Sequence, residues 1–109
     1  MGTSSLIQAI EREQRREQGL VHLQFVGDWP GTPASELAKG DHLMWNGGAV
    51  YVITGIREAS PKFIEITERA VACRVDRDGT TEYTRRLKKD RLVVRLTPEQ
   101  VKRATGQRD

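Results

Sequence analysis

The sequence predicts a mainly β protein: a small, closed or nearly closed barrel of about six short antiparallel strands, with an N-terminal helix and a short C-terminal helix. Two observations carry this. Short runs such as Val21-His22-Leu23 and Ile64-Glu65-Ile66 alternate apolar and polar side chains, the period of a strand with one buried face. Glycine-containing breaks, Asn46-Gly47-Gly48 and Asp76-Arg77-Asp78-Gly79, separate such runs and supply the backbone freedom that hairpin turns need. Closure is expected because several short strands in a chain of 109 residues otherwise leave exposed edges.

The pattern divides the chain into an N-terminal helix (1–19), a barrel (20–96) and a short C-terminal helix with a tail (97–109). Residues 3–18 have helical spacing, and Thr3, Ser4 or Ser5 is placed to cap the first turn. Leu6, Ile7 and Ile10 share one face, and everything after Ile10 is Glu, Arg or Gln. That patch either docks the helix on the barrel or contacts a partner chain.

After Gly19, residues 20–26 alternate with Val21, Leu23 and Phe25 on one side, and "GDWPGTP" reads as a break. Residues 33–41 read as one helical turn started by Thr32-Pro33 and closed by Gly40. Leu43 and Trp45 then precede a tight hairpin turn at Asn46-Gly47-Gly48, with Val50, Val52 and Ile56 on one face after it. "FIEIT" and "AVACRV" read as two further strands, the second with Val71, Cys73 and Val75 on one face. "TEYTRRL" and "RLVVRL" are the last two. Thr97-Pro98-Glu99-Gln100 has the form of a capping box that starts a helix ending near Gly106.

Composition limits the function classes. Hydrophobic residues make up 37% and charged residues 30%, so a modest core is expected rather than disorder. No apolar run approaches the roughly 20 residues that span a bilayer, and no basic-then-apolar secretory leader opens the chain. A single cysteine, Cys73, excludes an internal disulfide and fits a reducing, cytoplasmic setting. Charge is uneven. Residues 1–24 balance three Arg against three Glu, residues 25–84 carry six basic and nine acidic groups, and residues 85–109 carry nine basic and three acidic groups.

That basicity is concentrated in "TRRLKKDRLVVRL", residues 84–96. Alternation puts Leu92, Val94 and Leu96 inward, and Arg91, Val93 and Arg95 outward. With Tyr83 and Leu87 inward, Arg86 points out and Arg85 lies under the sheet or at its rim. Arg86, Lys88, Lys89, Arg91 and Arg95 are then expected to form one patch, extended by Lys102 and Arg103, that suits phosphate or an acidic protein partner. The plain alternative is a solvated edge strand whose charges prevent aggregation.

"ASELAKGDHLMWNGGAVYVITGI" resembles the opening of SH3-like small barrels, in which a Lys-Gly-Asp step leads into a strand, a tight turn and a second apolar strand. The matching residues are Leu37, Lys39, Gly40, Asp41, Leu43, Trp45, Gly47, Gly48, Val50, Tyr51 and Val52. The resemblance covers roughly residues 34–96 and implies an SH3-like barrel in which the Asp41 carboxylate takes nearby N–H groups. Fewer glycines follow the step than in KOW-type ribosomal and transcription modules. In its general organisation the chain is also similar to small accessory proteins of actinobacterial phages, which implies a host cytoplasm.

Catalysis and cofactors find no support. Cys73, His22 and His42 lack the paired spacing of a zinc site. Gly79 is the fourth residue from Asp76, where a calcium loop needs its glycine sixth. No nucleophile elbow, P-loop or dinucleotide fingerprint is present. The expectation is a non-enzymatic small binding module with no cofactor and no membrane partner. It engages a protein or itself through the N-terminal helix, with Leu6, Ile7 and Ile10, or through an open barrel edge; the alternative is nucleic-acid binding through the basic strands.

Overall fold

The computed structural model describes residues 2–73 and 79–106. Among these residues the fold is mainly β, with two helices and two antiparallel sheets. Helix α1 (Gly2–Glu17) is followed by β1 (Leu20–Leu23), β2 (Gly27–Pro30) and β3 (Thr32–Pro33). A 3-10 turn (Ala34–Glu36) leads to β4 (His42–Met44), and a second one (Asn46–Gly48) leads to β5 (Val50–Glu58). The chain closes with β6 (Phe63–Ala72), β7 (Glu82–Lys88), β8 (Leu92–Leu96) and α2 (Pro98–Thr105). Strands β1 and β2 form a hairpin, and the others form one sheet in the order β3-β8-β4-β5-β6-β7. The sheet is not closed into a barrel: β3 and β7 are its two edges. The 3-10 turn after β3 touches β7, so the two ends approach without pairing. Strand β3 is only two residues long and ends in Pro33, which has no N–H to extend a ladder.

Two apolar clusters lie on opposite faces of this sheet. The first gathers Ala34, Leu37, Leu43, Ile53, Ile64, Ile66, Leu87 and Val93, with half-buried Trp45 against it. The second gathers Leu23, Met44, Val50, Val94 and Leu96 under the β1–β2 hairpin and α2, which add Val21, Trp29 and Val101. Strands β4 and β8 are therefore covered on both faces, which explains the apolar doublets Leu43-Met44 and Val93-Val94. Val93, expected outward, is 1% exposed. Strand β8 is an interior strand, and the solvated-edge reading fits β7 alone.

Several expected elements are redrawn. Strand β1 stops at Leu23 because Phe25 sits at φ 65°, left-handed backbone at the hairpin tip, and its side chain is 96% exposed. "GDWPGTP" is not a break: it supplies β2 and β3, with Trp29 opposite Val21 and facing the second cluster. Thr32 and Pro33 pair with Val93 and Leu92 rather than starting a helical turn, and the turn itself is 3-10. The Asn46-Gly47-Gly48 connection does turn tightly between antiparallel β4 and β5, with Gly47 and Gly48 at φ 77° and 82°; its form is a 3-10 turn bracketed by Trp45 N–H donating to Ala49 O at 2.9 Å. Helix α1 begins at Gly2, so the expected capping residues fall inside its first turn.

Two bulges explain the remaining differences. "FIEIT" and "AVACRV" belong to one continuous strand, β6, up to Ala72. Between the pairs Val50–Ala72 and Tyr51–Ala70, Val71 is the extra residue, and it turns outward. Between Ile53–Glu68 and Gly55–Thr67, Thr54 is extra on β5. Before it, Tyr51 stands opposite Leu43, so Ile53 rather than Val52 enters the first cluster; after it the alternation flips, and Ile56 stands opposite Ile66, away from the face of Val50, and is 37% exposed. The expectations for Val75 and the Asp76–Asp78 turn lie outside the described residues. The C-terminal capping box is present: Gln100 N–H donates to Thr97 Oγ1 at 3.2 Å, Thr97 N–H donates to Gln100 Oε1 at 2.8 Å, and Gly106 ends α2 in left-handed backbone.

Candidate interaction surfaces

The basic segment is spread over more than one surface. Arg86 and Lys88 lie on the outward face of β7, in register with Glu65 and Phe63. The Arg86 guanidinium carbon is 5.0 Å from the Phe63 ring centroid, while Glu65 takes its ion pair from Arg57 at 2.8 Å. Lys89 is paired with Glu58. Arg95 pairs with Asp41 at 3.7 Å and donates to Glu36 O at 3.4 Å. Arg91 instead approaches the Trp45 ring, 5.9 Å from its centroid. The fold thus brings Arg86 and Lys88 together, whereas Lys89, Arg91 and Arg95 each turn to a different neighbour. Among the described residues, Arg86, Lys88 and Arg91 form no ion pair.

A buried polar cluster sits at the rim of the first apolar cluster. Glu68 is fully buried. Its Oε1 accepts from Trp45 Nε1 at 2.9 Å and its Oε2 accepts from Arg85, which lies on the inner face of β7. The Arg85 guanidinium carbon stacks 4.3 Å from the Trp45 centroid and 6.0 Å from that of Tyr51. Tyr51 meets Tyr83 edge-on, and its hydroxyl lies 3.7 Å from Cys73 Sγ. Burial, then the Cys73 contact, pushes the Tyr51 hydroxyl up to about 12. Each carboxylate oxygen of Glu68 is satisfied inside the fold, so the cluster fastens the β4–β5 connection, β6 and β7 together. The sequence carries a signal for this burial: Glu68 continues the Ile64, Ile66 parity of β6.

Helix α1 forms the other surface. It contacts β1, and its polar C-terminal half is tied to the hairpin there. Arg15 Nε lies 3.2 Å from Asp28 Oδ1, and His22 Nδ1–H donates to the same oxygen at 2.8 Å. The His22 hydrogen bond, helped by the Arg15 charge, holds the Asp28 carboxyl below its usual range. Gly31 N–H donates to Gly19 O at 2.7 Å and fixes the helix exit. Leu6, Ile7 and Ile10, expected to dock the helix or meet a partner, are 61%, 50% and 47% exposed. None of them belongs to either apolar cluster.

A shallow cleft of about 340 Å³ lies beside α2, lined by His42, Leu96, Pro98, Val101 and Lys102 among others. Among the described residues, no three His, Cys, Asp or Glu side chains gather to hold a metal ion, and no helix is long and apolar enough to cross a membrane. The Lys-Gly-Asp step behaves as a structural device: Asp41 Oδ2 accepts from Ala38 N–H at 2.9 Å and Gly40 takes a φ of 96°. No family model matches the chain, and no curated protein or solved structure shows significant similarity to it.

Proposed function

We propose that this chain is a non-enzymatic protein-interaction module in which α1 is an arm that delivers Leu6, Ile7 and Ile10 into an apolar groove on a partner protein. The observation that carries this reading is the exposure of all three side chains on a helix whose polar end is the part tied to the body by the Arg15–Asp28 pair. A helix of 16 residues gains little from propensity alone, and its like-charged Glu13 and Glu17, one turn apart, add nothing. A second surface is what would stabilise its apolar half. Three side chains cover far less than the roughly 800 Å² per partner of a self-standing interface. They suit insertion into a groove, the helix-in-groove mode. The body behind the arm is read as an SH3-like barrel left open between β7 and β3. The test uses the full chain and a Leu6→Ser/Ile10→Ser variant as baits, with bound proteins quantified by mass spectrometry. A set of proteins retained by the parent and lost by the variant supports the reading; identical sets overturn it.

Nucleic-acid binding is the second reading, favoured by Arg86 and Lys88, which share an outward face and engage no carboxylate among the described residues. Such binding must weaken steeply with salt. Fluorescence anisotropy with single- and double-stranded oligonucleotides at two salt concentrations decides it.

A further inference from the structure

We infer that β7 is a self-pairing edge, and that two copies of this chain join antiparallel through it to form one continuous sheet. The inference is independent of α1. Strand β7 pairs with β6 alone among the described residues, and every residue from Glu82 to Arg86 is at least partly accessible. The 3-10 turn after β3 leans on its far end, where Ser35 N–H donates to Lys89 O at 2.9 Å, while Glu82, Tyr83, Thr84 and Arg86 are exposed. The opposite sheet edge, β3, is too short and contains Pro33.

The residue order of β7 is self-complementary about Thr84. A two-fold axis perpendicular to the sheet at Thr84 keeps both copies' faces aligned, because each residue meets one of the same parity. Glu82 then stands opposite Arg86 on the outward face, twice by symmetry. Tyr83 stands opposite Arg85 on the inner face, again twice, and Thr84 meets Thr84 at the centre. Opposite charges and a Thr–Thr pair are favourable cross-strand partners, and Tyr83 packs beside the stem of an Arg85 whose guanidinium stays on Glu68 and Trp45. Glu82 is already held in place by Thr54 Oγ1, which donates to its carboxylate at 2.6 Å. Moving the axis by two residues to Arg86 would set Arg85 against Leu87 and Thr84 against Lys88, and bring Arg86 onto its own copy, so charge also selects the register.

The test is sedimentation velocity of the full chain, of Glu82→Arg, of Arg86→Glu and of the double variant Glu82→Arg/Arg86→Glu, with circular dichroism checking that each folds. The expected result is a dimer for the parent, a dissociation constant raised by roughly tenfold or more in each single variant, and recovery in the double variant. Thr84→Cys should form an intermolecular disulfide under mild oxidation, which the parent with Cys73 alone and an Arg86→Cys chain should not. A monomeric parent at high micromolar concentration overturns the inference. So does a dimer indifferent to both single reversals, or a folded double variant that stays monomeric.

Discussion

Trp45 Nε1 donates a hydrogen bond to Glu68 Oε1 at 2.9 Å, across the rim of the inner apolar cluster. This contact joins the β4–β5 connection to β6 and lets a carboxylate with no solvent access remain bonded at both oxygens, the second by Arg85 from β7.

Removing one member of that trio should therefore cost more than removing the ion pair altogether. Arg85→Met leaves Glu68 buried without its cation, and a loss on the order of 3 kcal/mol is expected. Glu68→Leu/Arg85→Met should recover much of it, since an apolar pair of similar volume needs no desolvation. Urea denaturation of the parent, both single variants and the double variant measures the coupling.

Gly31 is fixed by close approach rather than by its backbone angle. A Cβ there would lie 2.8 Å from Leu92 Cβ and 3.0 Å from Val21 Cγ2. Gly31→Ala should destabilise the chain by about 1–3 kcal/mol by pushing the β1–β2 hairpin away from β8. Thermal unfolding reads the loss, and hydrogen exchange should localise it to β1 and β2.

Tyr51 gives a pH dependence at the alkaline end. Its hydroxyl is raised from 10.0 to about 12, so the folded state holds the proton more tightly than the unfolded chain. The corresponding stability is complete below pH 10 and is lost as pH rises toward 12. Phenolate absorbance against pH should show Tyr51 ionising well above its ordinary value, and Tyr51→Phe should flatten the decline in stability over that window.

Stability should separate the core from the arm. Leu43 is fully buried in the first cluster, and Leu43→Ala is expected to cost about 3 kcal/mol. Ser substitutions at Leu6, Ile7 and Ile10 should each change stability by less than about 0.5 kcal/mol, since these side chains already face solvent. A chemical-denaturation series on the four variants checks the contrast.

Much of the fold was legible because local chemistry sets it. The capping box at Thr97 and Gln100 and the strand parity of Ile64 and Ile66 depend on near neighbours, and both stand as read. What the sequence hid depends on partners distant in the chain. The bulges at Thr54 and Val71 leave no residue-type mark, yet they reverse which side chains of β5 and β6 face the core. β2 was invisible because Gly27, Asp28 and Pro30 disfavour strands, and only pairing with β1 makes them one. By alternation alone the basic segment presents two similar strands. Their different places in the sheet, β8 inside and β7 at the edge, separate Val93 from solvent and Arg86 from Arg91.

The most direct measurement places a photo-reactive benzophenone side chain at Ile7 and irradiates the chain in the presence of its source lysate. The interaction-arm reading predicts a discrete covalent adduct that vanishes when Leu6 and Ile10 are also changed to Ser. It also predicts no such adduct when the probe is moved to Gln14, on the polar half of α1. No adduct at Ile7, or the same adducts from both positions, would contradict it.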